Sequence, residues 1–224
     1  MPYLQHTIKT DVSEFDDIYC LELLQPLMGG FGCLDFTDSS FSPFSMLCVV
    51  NDIILNSRKN ILILGSSLST VLIGKMIKKN ELDIRLMSVE HNKGLTLILN
   101  EVIQNEGISD CVDIIYAPLK ESNLAAKGSL WYDVKVLNDQ TARKQFDMVI
   151  IGGPSTSQKG CKCARYPALP YVFNKLRKQF GIYLSDANWS GEQSLFQQWE
   201  IENGMEFKVT GGTLAYYKTG DPCF

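Results

Sequence analysis

The residues from Asn60 to Glu90 constrain the fold of this chain more than any other stretch. An apolar run is followed at Gly65 by a turn of small residues and then by an amphipathic segment, and a second apolar run ends on Glu90. This order is typical of the first half of a nucleotide-binding α/β sheet. Backbone N–H groups at the helix start can face a ligand there, and the carboxylate can accept from both hydroxyls of a ribose. The stretch therefore indicates an adenosine-type cofactor.

Apolar runs and helical periodicities continue this alternation along the rest of the chain. They predict strands near 60–64, 84–89, 112–116, 146–151 and 180–185. They predict helices near 14–28, 43–56, 69–79, 92–106, 166–178 and 190–203, with Ser42 as an N-cap and Pro43 in the first helical position. Two short runs around Gly211-Gly212, near 205–209 and 213–218, predict a hairpin. The segment 120–144 is left open between a helix end, a short strand and a packed loop.

Together these elements predict a doubly wound, Rossmann-like α/β fold. We expect a mostly parallel, seven-stranded sheet with a C-terminal antiparallel hairpin and N-terminal helices. No repeat or linker divides the 224 residues, so one domain, 1–224, is expected. Within it, 1–58 would form a helical cover and 59–218 the Rossmann-like core.

Composition narrows the cellular setting and the partners. The formal charge of −4 and the pI near 5.3 argue against a broad nucleic-acid-binding face. No signal peptide or membrane-spanning run is visible, so we expect a cytoplasmic protein without a membrane partner. Seven cysteines, an odd number, favour reduced thiols over a disulfide framework. Trp189, Trp199 and Tyr216 could belong to a core or to a partner surface, which leaves a homodimer open.

The turn after Gly65 excludes two common phosphate-binding loops. It has no Lys-Ser or Lys-Thr pair, as a Walker A loop requires. A dinucleotide fingerprint needs three glycines, whereas Ser67 and Thr70 fall near the other two positions, which also disfavours a nicotinamide-dependent reductase. A cofactor without phosphates tolerates this turn better, and S-adenosylmethionine is the common one.

Six motifs, in order along the chain, carry a resemblance to a known family. They are ILILGSSLSTVLIGKM, RLMSVEHNKG, IIYAPLK, FDMVIIGGPSTS, ARYPALPYVF and GIYLSDANW. Together they resemble the class I S-adenosylmethionine-dependent methyltransferases. More narrowly, they are similar to a small bacterial-type group whose first motif ends in Leu-Ser-Thr, with Gly-Pro after the fourth strand and Asp-Ala-Asn/Arg after the fifth. The likeness covers roughly residues 40 to 218.

The resemblance implies roles for the matching positions, with S-adenosylmethionine as cofactor. The methionyl part would lie over the first turn, formed by Gly65, Ser66 and Ser67, with Ser69 and Thr70 capping the helix beneath. The ribose and adenine would meet residues that follow the second and third strands: Glu90, His91, Ala117, Pro118 and Leu119. The sulfonium and the acceptor would meet residues that follow the fourth and fifth strands: Gly152, Gly153, Pro154, Asp186 and Asn188.

Three departures from the family pattern motivate an alternative. The acid that often precedes the glycine by two positions, and helps to hold the amino group of the cofactor, is Ile63 here. Ser67 replaces a usual glycine, and Gly152 replaces an aspartate. The leading hypothesis is methyl transfer to an oxygen or nitrogen of a small-molecule acceptor. The alternative is a binding or scaffolding protein that keeps the fold without catalysis.

Several candidate residues also have a simpler interpretation. Glu90 could be a solvated carboxylate at a strand end, the serines could only cap a helix, and His91 could be structural. Asp186 could take a proton from the acceptor, or it could only be an N-cap or form a turn before the helix at 190. Asn188 could orient the acceptor or satisfy that turn, and Arg165 could clamp an acidic acceptor or pair with a surface carboxylate.

The sequence predicts no metal site. Cys161-x-Cys163 with Cys223 has no recognised zinc spacing. Gly152 also removes one of the carboxylates that a Mg²⁺ site would use. We further expect the loop 35–42 and the helix 43–56, with Phe36, Phe41 and Phe44, to cover the site.

Overall fold

A seven-stranded sheet organises the chain in this computed structural model, which describes residues 14–29, 41–125, 129–155 and 164–219. The strands in these ranges are β1 (Asn60–Leu64), β2 (Arg85–Glu90), β3 (Val112–Tyr116), β4 (Leu119–Glu121), β5 (Leu130–Tyr132), β6 (Phe146–Ile151), β7 (Leu176–Leu184), β8 (Lys208–Thr210) and β9 (Leu214–Lys218). The helices are α1 (Glu14–Met28), α2 (Pro43–Leu55), α3 (Leu68–Lys79), α4 (Lys93–Asn105), α5 (Val134–Thr141), α6 (Ala168–Val172) and α7 (Ser190–Asn203).

The strand order is that of a doubly wound, Rossmann-like sheet. It runs β3-β2-β1-β6-β7-β9-β8, with the first five strands parallel to one another and β9 antiparallel to both of its neighbours, β7 and β8. The chain therefore builds outward in one direction from β1 and then in the other direction from β6. Ligands of such sheets bind at this switch point, outside the carboxyl ends of the strands. The predicted fold class, including the C-terminal hairpin, is confirmed.

Apolar side chains cover both faces of this sheet. On one face the described parts of α1, α2, α3 and α4 pack against β1, β2 and β6. On the other face β4, β5 and helices α5 to α7 form a second apolar cluster. Central strands with both faces covered need continuous apolar runs, and every residue of β6 is buried. This explains why the central strands could be predicted from the sequence.

The helix predicted over 166–178 is wrong. The chain forms the short α6, a single 3-10 turn at Phe173–Lys175, and then enters β7 at Leu176. Leu176 pairs with Phe146 of the neighbouring strand, and the other edge of β7 meets Thr219, whose Oγ1 accepts from the N–H of Phe180 at 2.7 Å. These partners lie far away in sequence, so tertiary pairing overrides the local helical periodicity.

The segment 120–144, for which the sequence allowed a helix end, a short strand or a packed loop, lies mostly outside the seven-stranded sheet. β4 and β5 pair as a two-stranded antiparallel hairpin, and α5 follows directly. Asp133 begins α5, since its carboxylate accepts from the N–H of Lys135 at 3.0 Å. Its own N–H donates to the carbonyl of Pro118 at 2.9 Å, which fixes the hairpin beside the end of β3.

The start of α2 agrees with the prediction. Ser42 is the N-cap, its Oγ accepting from the N–H of Ser45 at 3.2 Å, and Pro43 holds the first helical position. Phe41, just before the cap, is buried. The predicted loop residue Phe36 lies outside the described residues.

A buried carboxylate ties α2 to the sheet. Asp52 accepts from Nε of Arg58 at 2.9 Å and from Nδ2 of Asn56 at 2.6 Å, and Nζ of Lys218 on β9 lies 3.0 Å from its Oδ1. Burial alone raises the pKa of Asp52, but the hydrogen bonds and charges of Arg58 and Lys218 outweigh it, so the pKa lies below its usual value. The carboxylate therefore stabilises the folded state only while it is ionised.

Two further findings concern membranes and cysteines. In the parts of the chain that the structure describes, no helix combines the length and the apolar character needed to cross a bilayer. Cys20, Cys48 and Cys111 are free thiols, and the other four cysteines lie outside the described ranges.

We predict that Asp52→Asn lowers the free energy of unfolding by about 3 kcal/mol at neutral pH, because it leaves the buried Arg58 without its counter-charge. The pKa of Asp52 is depressed in the folded state, so its contribution is lost as pH falls through that value. The difference from wild type should therefore shrink below about pH 4. Urea unfolding across pH measures it. The control is Arg177→Gln, which removes an exposed guanidinium whose Nη1 lies 3.7 Å from Oδ2 of Asp147 and should change little. A difference independent of pH would contradict this account.

Candidate functional site

The turn after β1 brings two backbones into direct contact. Gly65 has φ of +97°, and the N–H groups of Gly65 and Ser66 donate to the carbonyl of Val89 at 3.0 and 3.1 Å. A Cβ on Gly65 would lie 2.5 Å from the backbone nitrogen of Gly153. Both the left-handed backbone and this approach require glycine. We call this crossing of Gly65 and Gly153 the glycine bend.

The end of β6 completes the glycine bend from the other side. The N–H groups of Gly152 and Gly153 both donate to the carbonyl of Leu64, at 2.9 and 2.8 Å. A Cβ on Gly153 would lie 2.8 Å from Cα of Gly65. Pro154 follows and is buried. The two strand ends are thus fixed against each other at the carboxyl edge of the sheet.

The hydroxyls near the glycine bend are divided between a cap and a buried cluster. Ser67 is the N-cap of α3, and its Oγ lies 3.0 Å from Oγ of Ser69. Ser66 and Thr70 instead point inward, their hydroxyls lying 2.6 and 2.8 Å from Oγ of Ser88 on β2. The expectation that Ser69 and Thr70 cap the helix is therefore corrected, because Thr70 finds its partner on β2.

Glu90 lies beside the glycine bend, at the carboxyl end of the neighbouring parallel strand. Its side chain is buried, which excludes a solvated carboxylate. Oε1 accepts from the N–H groups of His91 and Asn92 at 2.8 and 2.7 Å. Nδ1 of His91 lies 3.1 Å from the same oxygen, but it is not aligned as a hydrogen bond. These contacts fix the carboxylate at the carboxyl edge of the sheet.

The residues after β3 border the same edge. The N–H of Ala117 donates to the carbonyl of Glu90 at 2.8 Å, and Ala117 is fully buried. Pro118 and Leu119 are half-buried, and Leu119 begins the β4–β5 hairpin. The structure therefore brings Ala117, Pro118 and Leu119 to the position next to Glu90.

An aromatic ring from the N-terminal cover reaches the glycine bend. A Cβ on Gly152 would lie 3.5 Å from Cε2 of Phe41 and 3.9 Å from Oγ of Ser185. The ring therefore packs where a longer side chain at position 152 would project. Phe44 is half-buried, and its N–H donates to Asp17 of α1 at 3.0 Å.

Arg165 joins the ends of β6 and β7 to the start of α7. Its Nη2 donates to the carbonyl of Gly152 and to Oδ2 of Asp186, both at 2.8 Å. Its Nη1 donates to the carbonyl of Ser185 at 3.2 Å and lies 3.3 Å from Oε1 of Glu192. Both Arg165 and Glu192 are buried, so their charges have to be compensated locally. Arg165 pairs with the buried Glu192 and the partly buried Asp186 rather than with an exposed carboxylate.

Asp186 is held in an unusual backbone conformation. Its φ is +60°, in the left-handed region, and such strain persists only where surrounding contacts impose it. Oδ2 accepts from Arg165 and, at 3.1 Å, from Oγ of Ser185. Asn188 and Trp189 follow on the exposed turn before α7, and Trp189 is 46% exposed. Trp199, by contrast, is fully buried.

Tyr132, the last residue of β5, also reaches the glycine bend. Its side chain is fully buried, and a Cβ on Gly153 would lie 2.9 Å from its hydroxyl. Its ring meets His91 edge-on, with centroids 6.2 Å apart. The hydroxyl has no hydrogen-bond partner in the described structure.

The structure thus brings together most of the residues that the sequence singled out, and adds others. Ser88, Tyr132, Ser185 and Glu192 were missed. Ser88 could have been noticed as a polar residue inside an apolar run, whereas Glu192 gave no signal. Among the described residues, no three His, Cys, Asp or Glu side chains are grouped as metal ligands would be. Cys161, Cys163 and Cys223 lie outside those residues.

No model of a known protein family matches the sequence, and no curated protein matches it. Solved structures do match. A Staphylococcus aureus protein provisionally assigned as a caffeoyl-CoA O-methyltransferase aligns over 92% of this chain and 100% of its own, with 12% identity and a TM-score of 0.62. Podospora anserina methyltransferase PaMTH1, solved with S-adenosylhomocysteine bound, aligns over 92% of this chain and 88% of its own, with 12% identity and a TM-score of 0.61.

A third structure, the O-methyltransferase TomG from Streptomyces achromogenes in complex with S-adenosylmethionine, aligns over 96% of this chain and 93% of its own. The identity is 12% and the TM-score is 0.57. At this identity, the likeness shows that the chain has the Rossmann-like methyltransferase fold.

We predict that Gly65→Ala lowers the free energy of unfolding by about 3 kcal/mol, since it adds a clash with Gly153 to a left-handed backbone. Gly191→Ala is the matched control, because no heavy atom lies within 4 Å of the new methyl group on α7. The control should be neutral or slightly stabilising. Chemical unfolding of both variants measures the difference, and equal stability of the two would refute the close crossing.

Proposed function

We propose that this chain is an S-adenosylmethionine-dependent methyltransferase that acts on an oxygen or nitrogen of a small-molecule acceptor. The observation that carries the proposal is the meeting of the glycine bend, the start of α3 and the Glu90 carboxylate at one edge of the sheet. The similar solved structures support it, because two of those described above hold S-adenosylmethionine or its demethylated product.

The residues at this edge fit an adenosyl cofactor. Oε1 of Glu90 already accepts two backbone N–H groups, so Oε2 is the oxygen that would accept from the ribose hydroxyls. The first N–H groups of a helix have no partner inside the helix. In α3 these N–H groups come directly after the glycine bend, where the methionyl carboxylate would lie. His91, with Ala117, Pro118 and Leu119, would border the ribose and adenine.

The acceptor side would be formed by the ends of β6 and β7. When bound, the cofactor supplies a methyl group that its sulfonium already activates. The task of the chain is therefore to orient the acceptor, exclude water and receive a proton. Asp186 would take the proton from the acceptor, with Asn188 on the exposed turn orienting it. Phe41 would shield the site beside Gly152 and Pro154.

Arg165 would act as a positioning residue rather than as a clamp on an acidic acceptor. Its guanidinium already contacts Asp186 and Glu192 and two backbone carbonyls, which leaves little capacity for a ligand carboxylate. By this network it would hold the Asp186 carboxylate at the crevice.

We predict that the protein binds S-adenosylhomocysteine with micromolar affinity and that Glu90→Gln weakens this binding by about tenfold or more. The reason is the loss of a charged hydrogen-bond acceptor for the ribose. Calorimetry measures both affinities. Glu101→Gln, on the exposed side of α4, is the matched control and should bind as wild type does. No wild-type binding at millimolar ligand would favour the scaffold alternative over the enzyme.

We predict that Asp186→Asn slows turnover by about 100-fold or more, because the proton acceptor is lost, while S-adenosylhomocysteine affinity stays near wild type, because Glu192 still supplies a counter-charge for Arg165. The readout is S-adenosylhomocysteine released over a panel of small phenols and amines. Asp139→Asn, on the exposed side of α5, controls for the loss of a carboxylate elsewhere. Full turnover by Asp186→Asn would remove Asp186 from the mechanism.

A further inference from the structure

The Tyr132 hydroxyl is a buried polar group that lacks a partner at the centre of the candidate site. It belongs to the β4–β5 hairpin, which lies outside the seven-stranded sheet. A Cβ on Gly153 would come within 2.9 Å of this hydroxyl and within 2.8 Å of Cα of Gly65. The hydroxyl therefore lies directly against the glycine bend.

An orphaned hydroxyl in this position calls for an explanation. Buried side-chain donors nearly always have a partner, since an unsatisfied one costs stability. Tyr171, on the same side of the sheet, follows the rule, because its hydroxyl lies 2.8 Å from Oγ1 of Thr141. Nε of Arg165 and Nδ1 of His91 are also buried without a hydrogen bond. Of these groups, the Tyr132 hydroxyl is shown to contact the glycine bend.

The charges around Tyr132 define what the hydroxyl can offer. Burial raises the pKa of Tyr132 well above its usual value, and the nearby Glu90 carboxylate raises it further, against a smaller opposite effect of Arg165. The phenol therefore stays protonated at neutral pH and can donate a hydrogen bond. A phenol can also accept, but its unsatisfied O–H needs an acceptor, and the strongest acceptors are carboxylate oxygens.

We propose that the Tyr132 hydroxyl donates a hydrogen bond to the carboxylate at the methionyl end of the bound cofactor. This inference rests on the proposed function, which places that end over the glycine bend. The carboxylate is the anionic acceptor of S-adenosylmethionine. Ile63, buried on β1, has no polar group to bind this end of the cofactor. The Tyr132 hydroxyl would supply one.

The test compares Tyr132→Phe with wild type for two ligands and for stability without ligand. S-adenosylhomocysteine carries the carboxylate, whereas 5′-methylthioadenosine has the same nucleoside without it. Tyr132→Phe should bind S-adenosylhomocysteine about 10- to 30-fold more weakly and bind methylthioadenosine as wild type does. Its melting temperature without ligand should be equal or higher, because the variant removes an unsatisfied donor.

Tyr171→Phe is the matched control, because it deletes a hydroxyl that has its partner within the protein. It should melt at a lower temperature and bind both ligands as wild type does. Unchanged S-adenosylhomocysteine affinity in Tyr132→Phe, or an equal loss for both ligands, would overturn the inference while leaving the proposed function standing. Failure of wild type to bind S-adenosylhomocysteine would overturn both.

Discussion

The contact on which the site depends is one of backbone against backbone. Where Gly65 crosses Gly153, the ends of β1 and β6 come closer than any side chain would allow, and the carbonyl of Leu64 accepts from the N–H groups of both Gly152 and Gly153. This contact lies at the switch point of the sheet, where the strand order reverses. The start of α3, the Glu90 carboxylate and the end of β6 are consequently held in one fixed arrangement.

A second, electrostatic constraint acts on the neighbouring strand. The Arg165 guanidinium contacts the carbonyls that end β6 and β7 and pairs with Asp186 and Glu192. Because a buried charge is costly without its partners, these groups have to be positioned together. The left-handed backbone of Asp186 is then a consequence of this network rather than an isolated strain. The glycine bend and this network meet at Gly152, at the carboxyl edge of the sheet.

The sequence predicts those parts of the fold that depend on patterns of neighbouring residues. Buried parallel strands require continuous apolar runs, so β1, β2, β3 and β6 could be recognised, and the glycine before α3 marked the ligand-binding turn. The length of β7 could not be recognised, because Leu176 pairs with Phe146 and Phe180 with Thr219, both far away in the sequence. The β4–β5 hairpin was equally hidden, since three-residue strands carry no periodicity. Side-chain direction was hidden as well: Thr70 contacts Ser88 across two elements.

The candidate site likewise has positions that the sequence predicts and contacts that it does not. Positions at strand ends, such as Glu90 and Asp186, follow from the order of the strands, because parallel strands end at one edge. The buried partners of Arg165 and the place of Tyr132 depend on packing between elements that are far apart in sequence. The sequence alone therefore indicated which edge of the sheet carries the candidate site but not which groups hold that edge together.

A crystal structure of the complex with S-adenosylhomocysteine tests the central claim most directly. The account predicts density for the ribose within hydrogen-bond distance of the Glu90 carboxylate and for the amino-acid end against the glycine bend. Density elsewhere on the protein, or a Glu90 side chain turned away from the bound ribose, would contradict it.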